Sequence, residues 1–280
     1  MNSNPDLTDQ AAHFAFGKNW AEYAAKISDT QITHAQQCLC NLVGNTSLRS
    51  KRFLDIGSGS GVHVLAAINL GATEVVAMDI DPDSVATTQA LLEKHANPKV
   101  QWQSKHASVF DLSPAEIGNF DVVYSWGVLH HTGQMVRAIR TAADLVAKDG
   151  LFVFALYRRV LMDPFWKFEK RWYAKASLRS QRRAQAIFIV LSRLRMRLTG
   201  HKFDDMVAQY TNSRGMDYFH DIHDWLGGFP HESISTTEVA ALMADLGFSP
   251  VRIIAQPVTF LSRLGLLGSG CDEFVYRRVR

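Results

Sequence analysis

The chain carries a glycine-rich turn directly after a run of apolar residues. Residues 53–56 (Phe-Leu-Asp-Ile) precede three glycines at alternate positions, Gly57, Gly59 and Gly61. Glycine tolerates positive φ and has no Cβ, so the backbone can turn tightly and a ligand can press against it. Residues 62–70 have the pattern of a helix, so the turn would end at a positive helix N-terminus. This arrangement predicts a nucleotide-type binding turn that opens a βαβ unit.

The spacing of the glycines excludes a dinucleotide-binding turn. Such a turn needs glycine at its first, third and sixth positions, and the sixth position counted from Gly57 is Val62. With Asp55 two residues before it, the triplet instead resembles the first motif of class I S-adenosyl-L-methionine (SAM) methyltransferases. In that family the acidic residue and the glycine loop hold the methionine end of the cofactor. The resemblance implies SAM contacts from Asp55, Gly57, Ser58, Gly59 and Gly61; a plain strand–helix turn is the alternative.

A second acidic residue ends the next predicted strand. Residues 74–79 are mostly apolar and finish on Asp79, about 20 positions after the glycine loop. A carboxylate at that place can accept hydrogen bonds from ribose hydroxyls. Asp81, followed by Pro82, has the pattern of a helix N-cap. We therefore assign Asp79, with its neighbour Ile80, to the cofactor site and Asp81 to capping.

Further predicted strands follow in the order expected of a class I methyltransferase. We expect them at residues 100–103, 120–126, 150–157, 251–255 and 273–276, with a helix from about 133 to 147. The strand at 120–126 is apolar on both faces, as is typical of buried parallel strands. Ser108 and Val109 fall where the family places residues beside the adenine, although many relatives carry aspartate instead of Ser108. The resemblance implies an α/β, doubly wound, mostly parallel seven-stranded sheet of the Rossmann-like methyltransferase fold, with its last strand antiparallel between strands five and six.

The resemblance extends over nearly the whole chain, from about residue 14 to 278. Blocks at residues 16–20, 124–132, 215–221, 224–230 and 272–276 are similar to those of a bacterial subgroup related to the ubiquinone-biosynthesis O-methyltransferases. By this resemblance, Lys18 and Trp20 close over the cofactor. The alternative for Trp20 is a simple core position.

His131 is the first candidate for a catalytic role. Methyl transfer is an in-line displacement, and alignment of the reactants can supply roughly 7–11 kcal/mol of the barrier. A base can also remove a proton from the nucleophile. His131 follows the fourth strand and matches a histidine of the quinone-type relatives, so we predict a base or a substrate-positioning residue; a structural cap on the next helix is the alternative. Trp126, Tyr124 and Tyr157 are aromatic candidates near the sulfonium, and we include Trp126 among the cofactor contacts.

A second polar cluster lies in the block His220-Asp221-Ile222-His223-Asp224. Helical spacing places His220, His223 and Asp224 on one side. We predict substrate binding, in which Asp221 or Asp224 engages a polar or cationic group, and we count His220 with them among the candidate catalytic residues. A lid helix whose acids pair with its own basic neighbours is the alternative. Class I methyl transfer needs no metal, so we expect none.

The charge of the chain is distributed unevenly. Residues 158–202 hold thirteen Lys and Arg against only Asp163 and Glu169, a local net charge of +11 in a chain of net +3. Their pattern is helical, with apolar stripes beside basic faces. Three interpretations remain: a solvated outer face, peripheral contact with an anionic membrane, and nucleic acid. Nucleic acid is unlikely as a partner, because Ser125-Trp126-Gly127 replaces the proline-proline-aromatic signature of base-amino methyltransferases and no catalytic Pro-Cys pair is present.

Composition and motifs together predict four parts: an N-terminal helical cap over the cofactor (1–46), a SAM-binding core (47–157), a helical basic lid (158–232) and a C-terminal completion of the sheet (233–280). In the last part, the apolar, glycine-rich residues 261–270 are expected to form a loop that packs against the lid. The three cysteines match no disulfide or zinc spacing, no signal-peptide core is evident, and we expect a cytoplasmic protein. We predict methylation of an O or N nucleophile of a small molecule. The alternatives are a membrane-associated quinone or lipid methyltransferase and a non-catalytic SAM-binding sensor or partner module. The oligomeric state stays open.

Overall fold

The structure is a computed structural model that describes residues 13–14, 16–24, 27–44, 47–214, 218–255 and 259–280. Its seven strands are β1 (Arg52–Ile56), β2 (Glu74–Asp79), β3 (Gln101–His106), β4 (Phe120–Trp126), β5 (Val146–Tyr157), β6 (Phe248–Ile254) and β7 (Cys271–Arg278). They form one sheet in the order β3-β2-β1-β4-β5-β7-β6. β7 is antiparallel to both of its neighbours, while the other pairs are parallel. The predicted fold class, including the position of the last strand, is confirmed.

Helices cover both faces of this sheet. They are α1 (Gly17–Ala24), α2 (Asp29–Val43), α3 (Val62–Asn69), α4 (Pro82–His95), α5 (Pro114–Ile117), α6 (Met135–Asp144), α7 (Asp163–Lys175), α8 (Leu178–Leu198), α9 (Phe203–Arg214), α10 (Tyr218–Gly227), α11 (Thr236–Asp245) and α12 (Phe260–Leu264). One apolar cluster joins α2 and α3 to one face of the sheet, and another joins α6 and α11 to the opposite face. Burial of these two layers positions the carboxyl ends of the parallel strands.

Two predictions of secondary structure are wrong, and the first fails because of the way β5 pairs with β4. The helix expected to reach residue 147 ends at Asp144, and β5 already begins at Val146. The strand register jumps between the pairs Phe120–Val146 and Val122–Leu151, so the residues between Val146 and Leu151 bulge out of the ladder. The apolar segment near residues 261–270, expected as a loop, contains α12.

The lid (residues 158–232) contains the four helices α7–α10. These helices share an apolar core of their own, which includes Trp166, Tyr173, Phe203, Tyr218 and Leu226. The segment after α12 packs against the lid, as expected: the carbonyl of Gly265 accepts a hydrogen bond from the indole of Trp166 at 2.7 Å. The lid is therefore a packed unit and not an irregular insertion.

Candidate active site

A cavity of about 480 Å³ opens at the carboxyl ends of β1, β2 and β4. The strand order reverses between β1 and β4, and ligands of open α/β sheets bind at such a switch point. A more open depression, lined by residues 68–74 and 97–101, lies beside the amino ends of β2 and β3. The cavity at the switch point is therefore the candidate active site.

The glycine loop forms one wall of the cavity. Gly57, Gly59 and Gly61 have φ of +83°, +52° and +78°, a region that side chains rarely adopt. A Cβ on Gly57 would lie 2.3 Å from Val128, and one on Gly59 would lie 3.1 Å from the Trp20 ring. The amides of Gly57 and Ser58 both donate to the carbonyl of Met78. The loop thus needs glycine both for its backbone angles and for the space that its neighbours occupy.

Asp55 lies beneath this loop in an unusual environment. It is 2% exposed, lines the cavity, and its carboxyl makes no hydrogen bond with a described residue. Burial, with a smaller contribution from Asp79, raises the pKa of Asp55 to about 8. Leaving a buried polar group without a partner is costly. A cationic group bound in the cavity would supply the missing partner.

Asp79 is held at the end of β2 by the backbone. Its Oδ2 accepts the amide of Gly59 at 2.9 Å, and its Oδ1 accepts the amide of Asp81 at 2.9 Å. Burial outweighs these bonds and raises the pKa of Asp79 to about 6. Each carboxylate oxygen has a second acceptor site. Asp79 and Ile80 both line the cavity, so Asp79 can still accept hydrogen bonds from a ligand.

The predicted capping role of Asp81 is confirmed and extended. Its Oδ1 accepts the amide of Asp83 at the start of α4, and its Oδ2 accepts the amide of Gly17 at 2.8 Å. This second bond fixes the start of α1, whose Trp20 lines the cavity. The side chain of Lys18 lies outside the described part of the chain. Ser108 and Val109 also line the cavity, and the Ser108 hydroxyl accepts the amide of Phe110.

The carbonyl group of Pro230 fixes the imidazole of His131 in one tautomer. Its Nδ1 lies 2.7 Å from the carbonyl oxygen of Pro230. Because a carbonyl only accepts, Nδ1 must carry the proton and Nε2 must keep a lone pair. Burial lowers the pKa of His131 to about 3. The ring is therefore neutral near neutral pH and lines the cavity as a hydrogen-bond acceptor.

The alternative role of His131, a cap on the following helix, does not agree with the structure. The first amide of α6, at Met135, donates to the carboxylate of Glu232 at 2.9 Å. Glu232, at the end of the lid, therefore does the capping. The neighbouring His130 is fully buried, with its ring 3.9 Å from that of Tyr157.

Only part of the predicted cluster on α10 lies at the cavity. Asp221 and Asp224 line the cavity with Trp225, whereas His220 is absent from the cavity lining. Asp221 accepts a short hydrogen bond from the hydroxyl of Tyr210. His223 contacts the hydroxyl of Tyr173 at 2.7 Å and packs inside the lid. Among the described residues, no three His, Cys, Asp or Glu side chains are grouped as metal ligands.

A buried lysine of the lid acts electrostatically on His131. Lys170 on α7 is fully buried and donates a hydrogen bond to the carbonyl of Trp225. Its ammonium lies 3.9 Å from the centre of the Trp225 ring, where cation–π attraction stabilises it. Burial lowers the pKa of Lys170 to about 7. Beside burial, its charge also contributes to the low pKa of His131.

Glu273 is a candidate that sequence reasoning missed. Its Oε1 accepts the indole N–H of Trp126 at 2.8 Å, and both residues line the cavity. Cys38 on α2 and Cys271 on β7 line the cavity as well. Alternation along β7 places Glu273 on the face of Val275, but its proximity to Trp126 depends on strand register that the sequence does not show.

Comparison with known proteins agrees with this geometry. The sequence model of a methyltransferase domain family matches residues 54–152. This part of the chain is a class I SAM-dependent methyltransferase domain. It contains the glycine loop, Asp79, Ser108, Trp126 and His131, which confirms the family recognised from the motifs. The lid, Glu273 and α1 lie outside the matched residues.

The relatives of the methyltransferase domain differ in substrate. A ubiquinone biosynthesis O-methyltransferase of Neisseria meningitidis serogroup C (strain 053442) is 32% identical over 112 residues, which are 40% of this chain and 46% of the relative. A tRNA U34 carboxymethyltransferase of Ectopseudomonas mendocina (strain ymp) is 34% identical over 107 residues, 38% of this chain and 32% of the relative. The chain thus matches less than half the length of either relative.

Solved structures show that the likeness in fold includes most of the chain. The magnesium protoporphyrin IX methyltransferase of Synechocystis PCC 6803 with bound S-adenosylhomocysteine (SAH) has a TM-score of 0.53 at 14% identity, with 93% of both chains covered. The N-methyltransferase NodS of Bradyrhizobium japonicum WM9, in complex with SAH, has a TM-score of 0.50 at 13% identity, with 95% of this chain and 100% of NodS covered. At these identities the likeness concerns the fold.

Proposed function

We propose that this protein binds SAM and transfers its methyl group to an O or N nucleophile of a small molecule. The observation that carries the proposal is Asp55, a buried carboxyl without a described hydrogen-bond partner, placed beneath a loop of three left-handed glycines. SAM carries an ammonium and a sulfonium, and it supplies a methyl group that a nucleophile displaces in line. The matched domain and the two neighbours of similar fold that hold bound SAH support this choice.

Each cofactor-side residue has a definite task in this proposal. Asp55 attracts the cationic methionine end, and the glycine loop lets it approach the backbone. Asp79 accepts the ribose hydroxyls with the acceptor sites that Gly59 and Asp81 leave open. Ser108 and Val109 border the adenine, and Trp20 covers the loop from α1. Trp126 places a ring beside the transferred methyl group.

His131 acts as a positioning residue and not as a strong base. With a pKa of about 3, its imidazole is roughly 7 units less basic than a phenolate of pKa about 10, a gap on the order of 9–10 kcal/mol. Complete proton removal by His131 before methyl transfer is therefore unfavourable. A hydrogen bond from the nucleophile to Nε2 aligns the nucleophile with the methyl group. As the new bond to carbon forms and the bond from the methyl group to sulfur breaks, the proton of the nucleophile becomes strongly acidic and passes to Nε2 or to solvent. Asp221 and Asp224 contact polar groups of the acceptor from the lid.

Methyl transfer itself is the test of the proposed function. The purified protein is incubated with methyl-labelled SAM and fractions of a bacterial small-molecule extract. We expect a labelled product in at least one fraction, and its loss in Asp79→Ala. Tight SAM binding without labelled product in any fraction would contradict catalysis and support the non-catalytic sensor or partner module.

A second proposal concerns peripheral contact with an anionic membrane through α8. Ile187, Val190, Leu191, Leu194 and Leu198 share one side of this helix by their spacing and are 47–79% exposed. Of the nine exposed Lys and Arg on α7 and α8, only Arg193 lies within 4.0 Å of a described carboxylate, at 3.9 Å from Asp204. An apolar stripe among cations that, Arg193 apart, have no carboxylate partner in the described part of the chain fits an anionic lipid surface. A quinone or lipid acceptor would then be reached from the membrane.

Vesicle sedimentation tests the membrane contact. We expect binding to vesicles of phosphatidylglycerol and phosphatidylcholine that is lost in high salt and in Leu194→Gln/Leu198→Gln. Val136→Gln, at a residue 47% exposed on α6, is the matched control and should bind normally. Equal binding to anionic and neutral vesicles, or to neither, would refute this proposal. No described helix has the length and apolar character needed to cross a bilayer, and the cytoplasmic location stays a prediction.

A further inference from the structure

The charge of the cavity restricts the acceptor that it can bind. Its lining includes six carboxyl groups, from Asp55, Asp79, Asp81, Asp221, Asp224 and Glu273, and no Lys or Arg among the described residues. A carboxylate or phosphate on the acceptor would find no cationic partner there, and like charges would repel it. The cavity therefore favours an acceptor that is neutral or cationic.

Strand register separates Glu273 from the cofactor side of the cavity. Asp55 is level with Tyr124, and the turn at Gly57 begins two residues after Asp55, just as Trp126 lies two residues after Tyr124. Trp126 pairs with Ala155, and Ala155 pairs with Glu273. Three strand spacings thus separate Gly57 from Glu273, about 14 Å at ~4.8 Å per strand. The small side chain of Ala155 leaves room for the indole of Trp126 to reach across β5 to Glu273.

The surroundings of Glu273 suit a cation. Its Oε1 accepts from Trp126, while Oε2 has no hydrogen-bond partner among the described residues. Trp126 and Tyr124 both line the cavity, and the charge of Glu273 contributes, after burial and Asp55, to the raised pKa of Tyr124. Aromatic faces attract cations. Burial first, and then the charge of Glu273, raises the pKa of the Cys38 thiol. Cys38 is therefore uncharged and does not compete with Glu273 for a cationic ligand.

We propose that Glu273 determines acceptor specificity by binding a protonated amine of the small molecule, whose nucleophile lies on the Gly57 side of Trp126. This inference rests on the proposed methyltransferase function and adds the charge of the acceptor. Asp55 and Asp79 serve the cofactor, so Glu273 is the carboxylate left for the acceptor at the β7 side of the cavity. The acceptor therefore spans the width of β4 and β5, from the cofactor to Glu273.

Three para-substituted phenols that share a two-carbon side chain and differ in the group at its end test the proposal. Tyramine ends in an ammonium, para-ethylphenol in a methyl group and phloretate in a carboxylate. Their binding to the SAH-saturated protein is measured by calorimetry. We expect tyramine to bind at least tenfold tighter than phloretate, and Glu273→Gln to reduce that preference about tenfold, with the affinities for para-ethylphenol and SAH unchanged. Glu116→Gln, at an exposed residue of α5, is the matched control and should keep the preference.

The outcomes separate this inference from the proposed function. Failure of the wild-type protein to bind SAH would overturn the proposed function itself. If the protein binds SAH but binds phloretate as tightly as tyramine, only the role of Glu273 is overturned. The same holds if the protein binds SAH and none of the three phenols. An undiminished preference in Glu273→Gln would do the same. The comparison of tyramine with phloretate in the wild-type protein needs no variant to fold.

Discussion

Replacement of Asp55 by asparagine should stabilise the ligand-free protein while it weakens SAM binding. The carboxyl is 2% exposed, and its pKa is raised from 3.8 to about 8. At about pH 7 the unfolded chain has lost this proton and the folded protein has kept it, which costs at most ~4 kcal/mol of stability. Asparagine is neutral at every pH and removes this cost. Because its own amide loses water on burial, we expect a net gain of about 1–3 kcal/mol.

The sign of the pH dependence makes the test specific. A group whose pKa is higher in the folded protein loses its stabilising contribution as the pH rises from its pKa in the unfolded chain to its pKa in the folded protein. The wild-type protein should therefore lose stability relative to Asp55→Asn between pH 3.8 and about 8. Urea unfolding of both proteins at about pH 5 and about pH 8 measures this difference.

A matched control and a second readout complete the experiment. Asp111→Asn changes an exposed carboxyl and should alter stability by less than about 0.5 kcal/mol at either pH. Calorimetry should show SAM affinity reduced at least tenfold in Asp55→Asn. A stability difference that does not grow with pH, or an unchanged SAM affinity, would refute the assignment of Asp55 as an unpaired buried acid that awaits a cation.

Four further predictions follow from the same geometry. Gly57→Ala should lower the free energy of unfolding in urea by about 1–3 kcal/mol more than Gly127→Ala. Both glycines have positive φ, but only a Cβ at position 57 would meet a neighbour, Val128 at 2.3 Å. Equal losses in the two variants would contradict this. Asp272→Ala should lose about 3–5 kcal/mol, because Asp272 is 2% exposed and paired with Arg158, whereas Asp245→Ala, whose pair with Arg140 is exposed, should lose less than about 1 kcal/mol. His131→Gln should lower kcat at least tenfold with SAM affinity unchanged; a loss of affinity instead would mean that His131 holds the cofactor. SAM affinity should rise with pH through the pKa of Asp79, about 6, because the bound cofactor favours the ionised carboxylates, and a flat calorimetric profile between about pH 5 and pH 8 would contradict this.

The parts of the fold that were predictable from sequence depend on local signals. The glycine turn, Asp79 at the end of β2 and the Asp81–Pro82 helix start are each encoded within a few residues, and the structure has all three. The end of α6 was not predictable, because the bulge after Val146 is decided by pairing with β4.

The candidate site was predictable only where neighbours in sequence are neighbours in space. Glu273 and Trp126 are 147 residues apart and meet through the register of three strands. His131 was recognisable as a candidate, but its tautomer depends on the carbonyl of Pro230, 99 residues away. Helical spacing grouped His220 with Asp224, whereas only the packing of α10 shows that Asp224 lines the cavity and His220 does not.

Calorimetric titration of the purified protein with SAM and with SAH tests the central claim most directly. The proposed function predicts micromolar binding of both ligands and a loss of at least tenfold in Asp79→Ala, whose carboxylate is held by Gly59 and Asp81 to face the cavity. Failure of the wild-type protein to bind either ligand, or equal affinities in the wild type and Asp79→Ala, would contradict it.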